Sequence, residues 1–426
     1  IRRQPQMCIR DRSLQDIIND SERRRKLVVY INPPYAEAGD SRQRSGTGKN
    51  KTGVAFDNYV YKTYKKQMGL ACRELFAQFF IRIYDEIPTS VLAEFSKLKI
   101  LQAPNFRDFR QAFRAKLGRN FIVPANSFDN VKGQFPIGFF IWDTNQKEVF
   151  EETTTTIYDS KGEELGNKLI SSYLNDTNVI VWLRQYYDKQ GESIGFLRMN
   201  GTNIQNNLGI YITSKLSDND IHNHFYAEIT KTNILPMCIY LSIRETVNAN
   251  WINDRDQYLV PSSKWEDDKE FQYNCLIHSL FSGQNRIQSQ HGTNHWIPFS
   301  EEEVGAQDNF ESHFIHDFIM GKVKEEKPQQ KETMQDLFAE QEPQTTGGSS
   351  FTPTGPLEFS QEAQAVLDAG RELWRYYHKQ AGANPNASYY DIKMHFQGTK
   401  TTKSGKLQMN STSEDATYNT LLANLR

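Results

Sequence analysis

The sequence predicts an α/β protein: an open, largely parallel sheet with helices, then an α+β domain, then a C-terminal helical segment. Three observations carry this. Residues 27–31, LVVYI, form a short apolar run rich in β-branched side chains, the pattern of a strand buried on both faces. Residues 56–87 carry apolar side chains at helical spacing, with no internal proline, and stop at Pro88. After Phe150 the pattern changes to short strand-like runs (VIVWLRQYY, GIYIT, FYAEIT, MCIYLSI) between Asn, Asp and Gly turns.

In chain order, SLQDIINDSERRR reads as a short helix and a polar turn ahead of the first strand. Residues 39–53, GDSRQRSGTGKNKTG, read as a long loop. Residues 90–96 suggest a strand. Residues 105–118 suggest an amphipathic helix with Phe106, Phe109 and Phe113 on one face and Gly118 as its stop. NFIVPANSF and QFPIGFFIWD suggest two strands joined by a short turn. The succession is that of the later half of an open sheet, with an antiparallel strand closing its edge. The expected divisions are 1–150 for this sheet domain, 151–322 for a separate α+β domain, 323–357 for a polar linker, and 358–426 for a helix and polar tail. In that last helix Ser360 is the N-cap, and Val366, Gly370, Trp374 and Tyr377 share a face.

The chain has 426 residues and is 24% charged, and no run of apolar residues is long enough to span a membrane. Its four cysteines are scattered, as expected for a reducing cytoplasm. Net charge is −2, but residues 1–150 hold 26 Lys and Arg against 15 Asp and Glu, while the remainder is acidic. A basic front on an acidic chain points to a polyanionic partner. The opening IRRQPQMCIRDR lacks the apolar core of a secretory signal. The chain starts on Ile, and the expectation is that it is cut from a longer protein or carries a stray leader.

The strand at 27–31 ends on Asn32-Pro33-Pro34-Tyr35. Ligands of open α/β sheets bind beyond the carboxyl ends of the strands. Two prolines stiffen the backbone and leave its carbonyls as acceptors. Asn32 adds a side-chain acceptor and Tyr35 a flat ring. Together they suit a planar group bearing an NH₂. An exocyclic amine is a poor nucleophile because its lone pair is delocalised into the ring. Two acceptors on its hydrogens favour the pyramidal geometry that frees the lone pair, so rate comes largely from positioning.

NPPY after an apolar strand resembles the catalytic motif of S-adenosylmethionine-dependent amino-methyltransferases, best the DNA adenine-N6 class. The resemblance implies that Asn32 and the Pro33 carbonyl accept from the adenine amine, that Tyr35 stacks on the base, and that Pro34 braces the turn. It implies an incomplete Rossmann-like methyltransferase sheet, with 151–322 as the target-recognition domain. NFIVPANSFDNVKGQFPIGFFIWD is similar to the family's later strand pair that walls the base pocket. By that analogy Phe128 closes the other face of the adenine, with Phe135 in reserve. Adenine inside a duplex is out of reach, so the base is flipped out. Double-stranded DNA is the implied partner, with Arg42, Arg44, Lys49 and Lys51 of the basic loop as its contacts. A restriction endonuclease subunit or domain is a further implied partner.

The family's Gly-rich donor turn has no good counterpart. SLFSGQN (279–285) lacks the second glycine, and SGTGKNKTG (45–53) lacks P-loop spacing. The expectation is therefore the carboxyl-terminal portion of a methyltransferase whose pocket for S-adenosylmethionine is incomplete. His222-Asn223-His224 is expected in a strand as surface or DNA-facing polar residues, and WEDDKE (265–270) as a helix cap. HGTNH (291–295) and Cys275/His278 lack zinc-site spacing. Two other readings stay open: ribosomal-RNA guanine-N2 or protein glutamine methylation, and a non-catalytic DNA-binding or specificity protein.

Overall fold

The computed structural model describes residues 14–33, 58–129, 131, 133–173, 178–207, 209–323, 351–402, 405 and 407–426. The chain is mixed α/β with mixed sheets, and falls into two units. The first comprises residues 1–176 with 203–205 and 249–257, and the second the remainder. Among the described residues no helix is long and apolar enough to cross a membrane.

The first unit is built on a six-stranded sheet: β1 (Val28–Ile31), β2 (Val91–Lys97), β3 (Ala115–Pro124), β4 (Pro136–Lys147), β5 (Glu152–Tyr158) and β6 (Glu164–Ser171). Their spatial order is β1-β2-β4-β3-β5-β6. β1 is parallel to β2, and β3 to β5; β4 is antiparallel to both its neighbours, and β6 to β5. Four strands therefore share one direction, and β1, β2 and β3 end on the same edge. The antiparallel strand expected at the sheet's edge lies inside it, because the chain turns back after β3 and β4 pairs with both β3 and β2.

Alternation along the strands sorts the side chains into two faces. Leu92, Phe140, Trp142, Ile122, Ile157 and Ile170 are buried on one face with Phe76, Phe80, Phe106, Phe109 and Phe113 from the helices. Each large side chain so buried contributes about 1.5–3 kcal/mol. The predicted phenylalanine face thus forms, but its helix covers only Arg107–Ala112. From Ala115 the chain is already β3, and Gly118 lies at a register shift of that strand rather than at a helix end.

The long helix expected over 56–87 is two helices, Tyr59–Met68 and Leu75–Glu86, separated by a 3₁₀ turn. Gly69 makes the break. Its φ is +53°, and a Cβ there would run into the Asp108 carboxylate. Backbone of this kind costs a non-glycine residue about 1–3 kcal/mol. Gly69→Ala is therefore expected to destabilise the first unit by about 2 kcal/mol or more, read as a lower urea midpoint at unchanged slope.

The first unit runs past the boundary expected at 150, because β5 and β6 pair into its sheet. Arg110, 4% exposed, donates to the carbonyls of Ile100, Ala103 and Ser172, tying the end of β6 to the helices. Lys168 on β6 holds Asp256 at 2.7 Å, which anchors 249–257.

The second unit has a four-stranded sheet: β7 (Ser193–Met199), β8 (Tyr211–Thr213), β9 (Phe225–Thr230) and β10 (Asn285–Arg286), in the order β10-β8-β7-β9. Helix Ile234–Thr246 is apolar on nearly all sides and sits in the core. Its one cation there, Arg244, donates to Asn207, the Tyr240 hydroxyl and the Gly201 carbonyl, and stacks on Tyr258 at 4.6 Å. Helix Gln361–His378 starts on its Ser360 cap as predicted, with Gly370, Trp374 and Tyr377 buried. Residues 324–350 of the expected linker lie outside the described residues. Residues 358–426 are not a separate segment, since Trp374, Tyr389 and Tyr418 join the same core as Ile239 and Leu276. His222 and Asn223 lie in a helix, Asp218–Asn223, not in a strand. The Ser217/Asp220 capping box starts that helix. In WEDDKE, Asp268 does cap the helix Lys269–Phe281, accepting from the Phe271 amide.

Candidate active site

β1 is not buried on both faces. Val28 is 58% and Tyr30 67% exposed, whereas Val29 and Ile31 face the helices. Among the described residues β1 pairs only with β2, so it forms one edge of the described sheet. Asn32 follows it directly and is exposed, and Pro33 is buried. No described residue donates a backbone hydrogen bond to the Pro33 carbonyl. Pro34, Tyr35, Arg42, Arg44, Lys49 and Lys51 lie outside the described residues.

Phe128 follows the 3₁₀ turn after β3, on the same sheet edge as Asn32. It is half-buried, and its ring packs edge-on against Phe95 at 5.3 Å. Phe95 in turn lies 6.5 Å from Tyr30, two residues before Asn32. Phe139 and Phe121 continue the row, with ring centroids 4.8 Å and 5.2 Å apart along Phe95–Phe139–Phe121, and Tyr158 ends it. The sheet face away from the helices is therefore an aromatic surface that reaches the carboxyl edge at Phe95 and Phe128. Phe135 offers its carbonyl to the Ala125 amide at 2.8 Å, which pins the start of the β3–β4 connection.

Glu94 was not legible as a site residue. On β2 it pairs with Ile31, and it faces the helices with no exposed surface. Trp142 Nε1 donates to it at 3.0 Å and the Ser96 hydroxyl at 3.3 Å. Burial pushes the carboxyl up to about 8, against the pull of Trp142 and Ser96. It is protonated at neutral pH. A lone Glu at an inward position of an apolar strand was the only signal for it in the sequence. The unfolded carboxyl ionises near 4.3, so stability from this group is complete below that pH and is lost as pH rises towards 8. Glu94→Gln keeps an acceptor for Trp142 and cannot ionise. Its unfolding free energy is expected to stay flatter between pH 4.5 and 8, and to exceed that of the parent at pH 8 by on the order of 3 kcal/mol.

A methyl donor of the nucleoside type needs a turn from a strand's carboxyl end into a helix, with glycine admitting the ligand. The described glycines of the first unit do not supply one. Gly69 joins helices, Gly118 and Gly138 lie within strands, Gly133 precedes β4, and Gly162 and Gly166 belong to the β5–β6 hairpin. Residues 279–285 lead from a helix into β10, the reverse order. None of these glycines of the first unit, nor residues 279–285, stands at a turn from a strand's carboxyl end into a helix. Among the described residues, no group of three His, Cys, Asp or Glu could hold a metal ion.

No protein-family model matches the chain, and comparison with curated proteins finds no relative.

Proposed function

We propose that the first unit is the base-binding part of a site-specific DNA adenine-N6 methyltransferase of the Rossmann-like kind, working in the cytoplasm, and that the second unit reads the target. The observation that carries this is the placement of Asn32-Pro33 at the carboxyl end of β1, with Phe128 on the same edge and Phe95 joining them. The Asn32 side-chain oxygen and the Pro33 carbonyl accept the two hydrogens of the adenine amine. That holds the nitrogen with its lone pair turned out of the ring plane. Tyr35 and Phe128 sandwich the everted base, and Arg42, Arg44, Lys49 and Lys51 engage the DNA backbone. The methyl group would come from S-adenosylmethionine held by residues other than those described. The surplus of cations in residues 1–150 supports a DNA substrate. A restriction endonuclease is the partner this activity suits.

The test is label transfer from methyl-tritiated S-adenosylmethionine by the protein, with duplex DNA and ribosomal RNA as parallel substrates. Label in N6-methyldeoxyadenosine is expected. Label confined to RNA or to protein, or specific DNA binding without any transfer, contradicts the proposal and favours one of the two other readings.

A further inference from the structure

After helix Lys269–Phe281 the chain runs through β10, an edge strand of the second unit's sheet, into a short 3₁₀ turn at Ser289–His291. Alternation sorts this segment into two rows. Asn285 and Ile287 are buried, each 2% exposed. Gln284, Arg286 and Gln288 are half-buried, and Gln290 is exposed. The backbone of the segment is firmly held. The Asn285 side chain donates to the Ser279 carbonyl at 3.0 Å, the Gln284 carbonyl accepts from the Ile212 amide at 3.0 Å, and the Ser214 hydroxyl accepts from the Gln288 amide at 2.9 Å. The start of helix Tyr389–Gln397 adds two ties. The Ser388 hydroxyl donates to the Ile287 carbonyl, and the Asp391 carboxylate accepts from the Ser289 amide at 2.9 Å.

The less buried row is itself ordered. The Arg286 guanidinium stacks on the Tyr211 ring at 3.8 Å and donates to the Gln284 amide oxygen at 2.8 Å. No Asp or Glu stands between residues 271 and 300, in a part of the chain that is otherwise acidic. The Gln290 amide donates to the Gln288 amide oxygen at 2.5 Å, which leaves the Gln288 NH₂ as a donor and the Gln290 oxygen as an acceptor. A stacked guanidinium holds its fork in place, and that fork matches the O6 and N7 acceptors of guanine. A donor beside an acceptor matches N7 and the N6 amine of adenine. We propose that this edge segment reads base pairs in the major groove of duplex DNA, with Arg286 on a guanine and the Gln288–Gln290 pair on an adenine. The inference rests on the reading of the second unit as the part that recognises the target, and it names the residues that do so.

The test is selection by the whole protein from a pool of duplexes with a randomised centre, for the parent, Arg286→Lys and Gln290→Ala. The parent is expected to enrich one sequence. Arg286→Lys keeps the charge and loses the fork. It is expected to enrich the same sequence with one guanine position relaxed, its preference there falling by about tenfold or more. Gln290→Ala is expected to relax an adenine position instead, by a similar factor. Both variants should keep the parent's melting temperature and its affinity for a duplex that lacks the enriched sequence. The proposal is overturned if either variant enriches the parent's sequence unchanged. It is also overturned if Arg286→Lys weakens binding to every duplex alike, the mark of a phosphate contact. A parent that enriches nothing overturns the reading of the second unit as well, so the parent's own selection tells the two failures apart.

Discussion

Asn32→Ala is expected to lower kcat for adenine methylation by about 10²–10³, the usual cost of removing one preorganised polar partner of a reacting group. The side chain is exposed at the end of β1, so no core packing goes with it. Thermal stability and duplex affinity should therefore stay close to those of the parent. That split separates a role in chemistry from a role in folding. Asn32→Asp keeps an oxygen acceptor at the same place and is expected to retain more activity than Asn32→Ala. Single-turnover rates for the three proteins, with duplex in excess, give the comparison. Equal rates for Asn32→Ala and the parent remove Asn32 from the mechanism.

The largest stability effect is expected from Asp220→Ala. Asp220 is 5% exposed and Arg198 7%. The Asp220 carboxylate accepts from Arg198 Nε at 3.1 Å, from the Tyr211 hydroxyl at 3.0 Å, and from the Ser217 amide and hydroxyl at 3.1 and 2.5 Å. Removing it breaks the capping box and leaves the buried Arg198 guanidinium without its carboxylate, held by the Gly209 carbonyl and over the Tyr211 ring at 5.5 Å. Breaking a buried pair from one side costs about 3–5 kcal/mol. For a unit of this size that is a fall in melting temperature on the order of 10 °C. Burial pulls the Asp220 carboxyl up, but Ser217, Tyr211 and Arg198 outweigh it and hold the carboxyl below its usual range. The sign follows. Its contribution is complete above the unfolded value, about 3.9, and is lost as pH falls through the lower folded one. Melts of the parent and Asp220→Ala should therefore differ at pH 7 and converge in acid.

The strands of the first sheet were legible because their periods are local. VLAEFSK and PIGFFIWD carry their apolar alternation in a few residues, and each became a strand close to where it was read. What failed was non-local. Nothing in LVVYI says that one of its faces stays uncovered, because that depends on which strand lies beside it. The break at Gly69 depends on Asp108, 39 positions away in sequence. The two strands after Phe150 looked like a new domain because their Thr-rich and polar runs, ETTTTIY and ELGNKLIS, differ from the apolar strands before them. They are sheet strands with one solvated face, for which that composition is normal. At the candidate site Asn32 was picked out by its prolines and Phe128 by the family resemblance. Glu94 was not, because a single acidic letter does not show that Trp142, 48 positions on, binds it.

Adenine capture as proposed rests on two oxygens, and a structure of the protein with a duplex carrying its target adenine tests it most directly. The expected result is an everted adenine whose N6 lies within about 2.7–3.2 Å of both the Asn32 side-chain oxygen and the Pro33 carbonyl, with the Phe128 ring against one face of the base. An adenine still stacked in the duplex, or everted with its amine held by other groups, contradicts it.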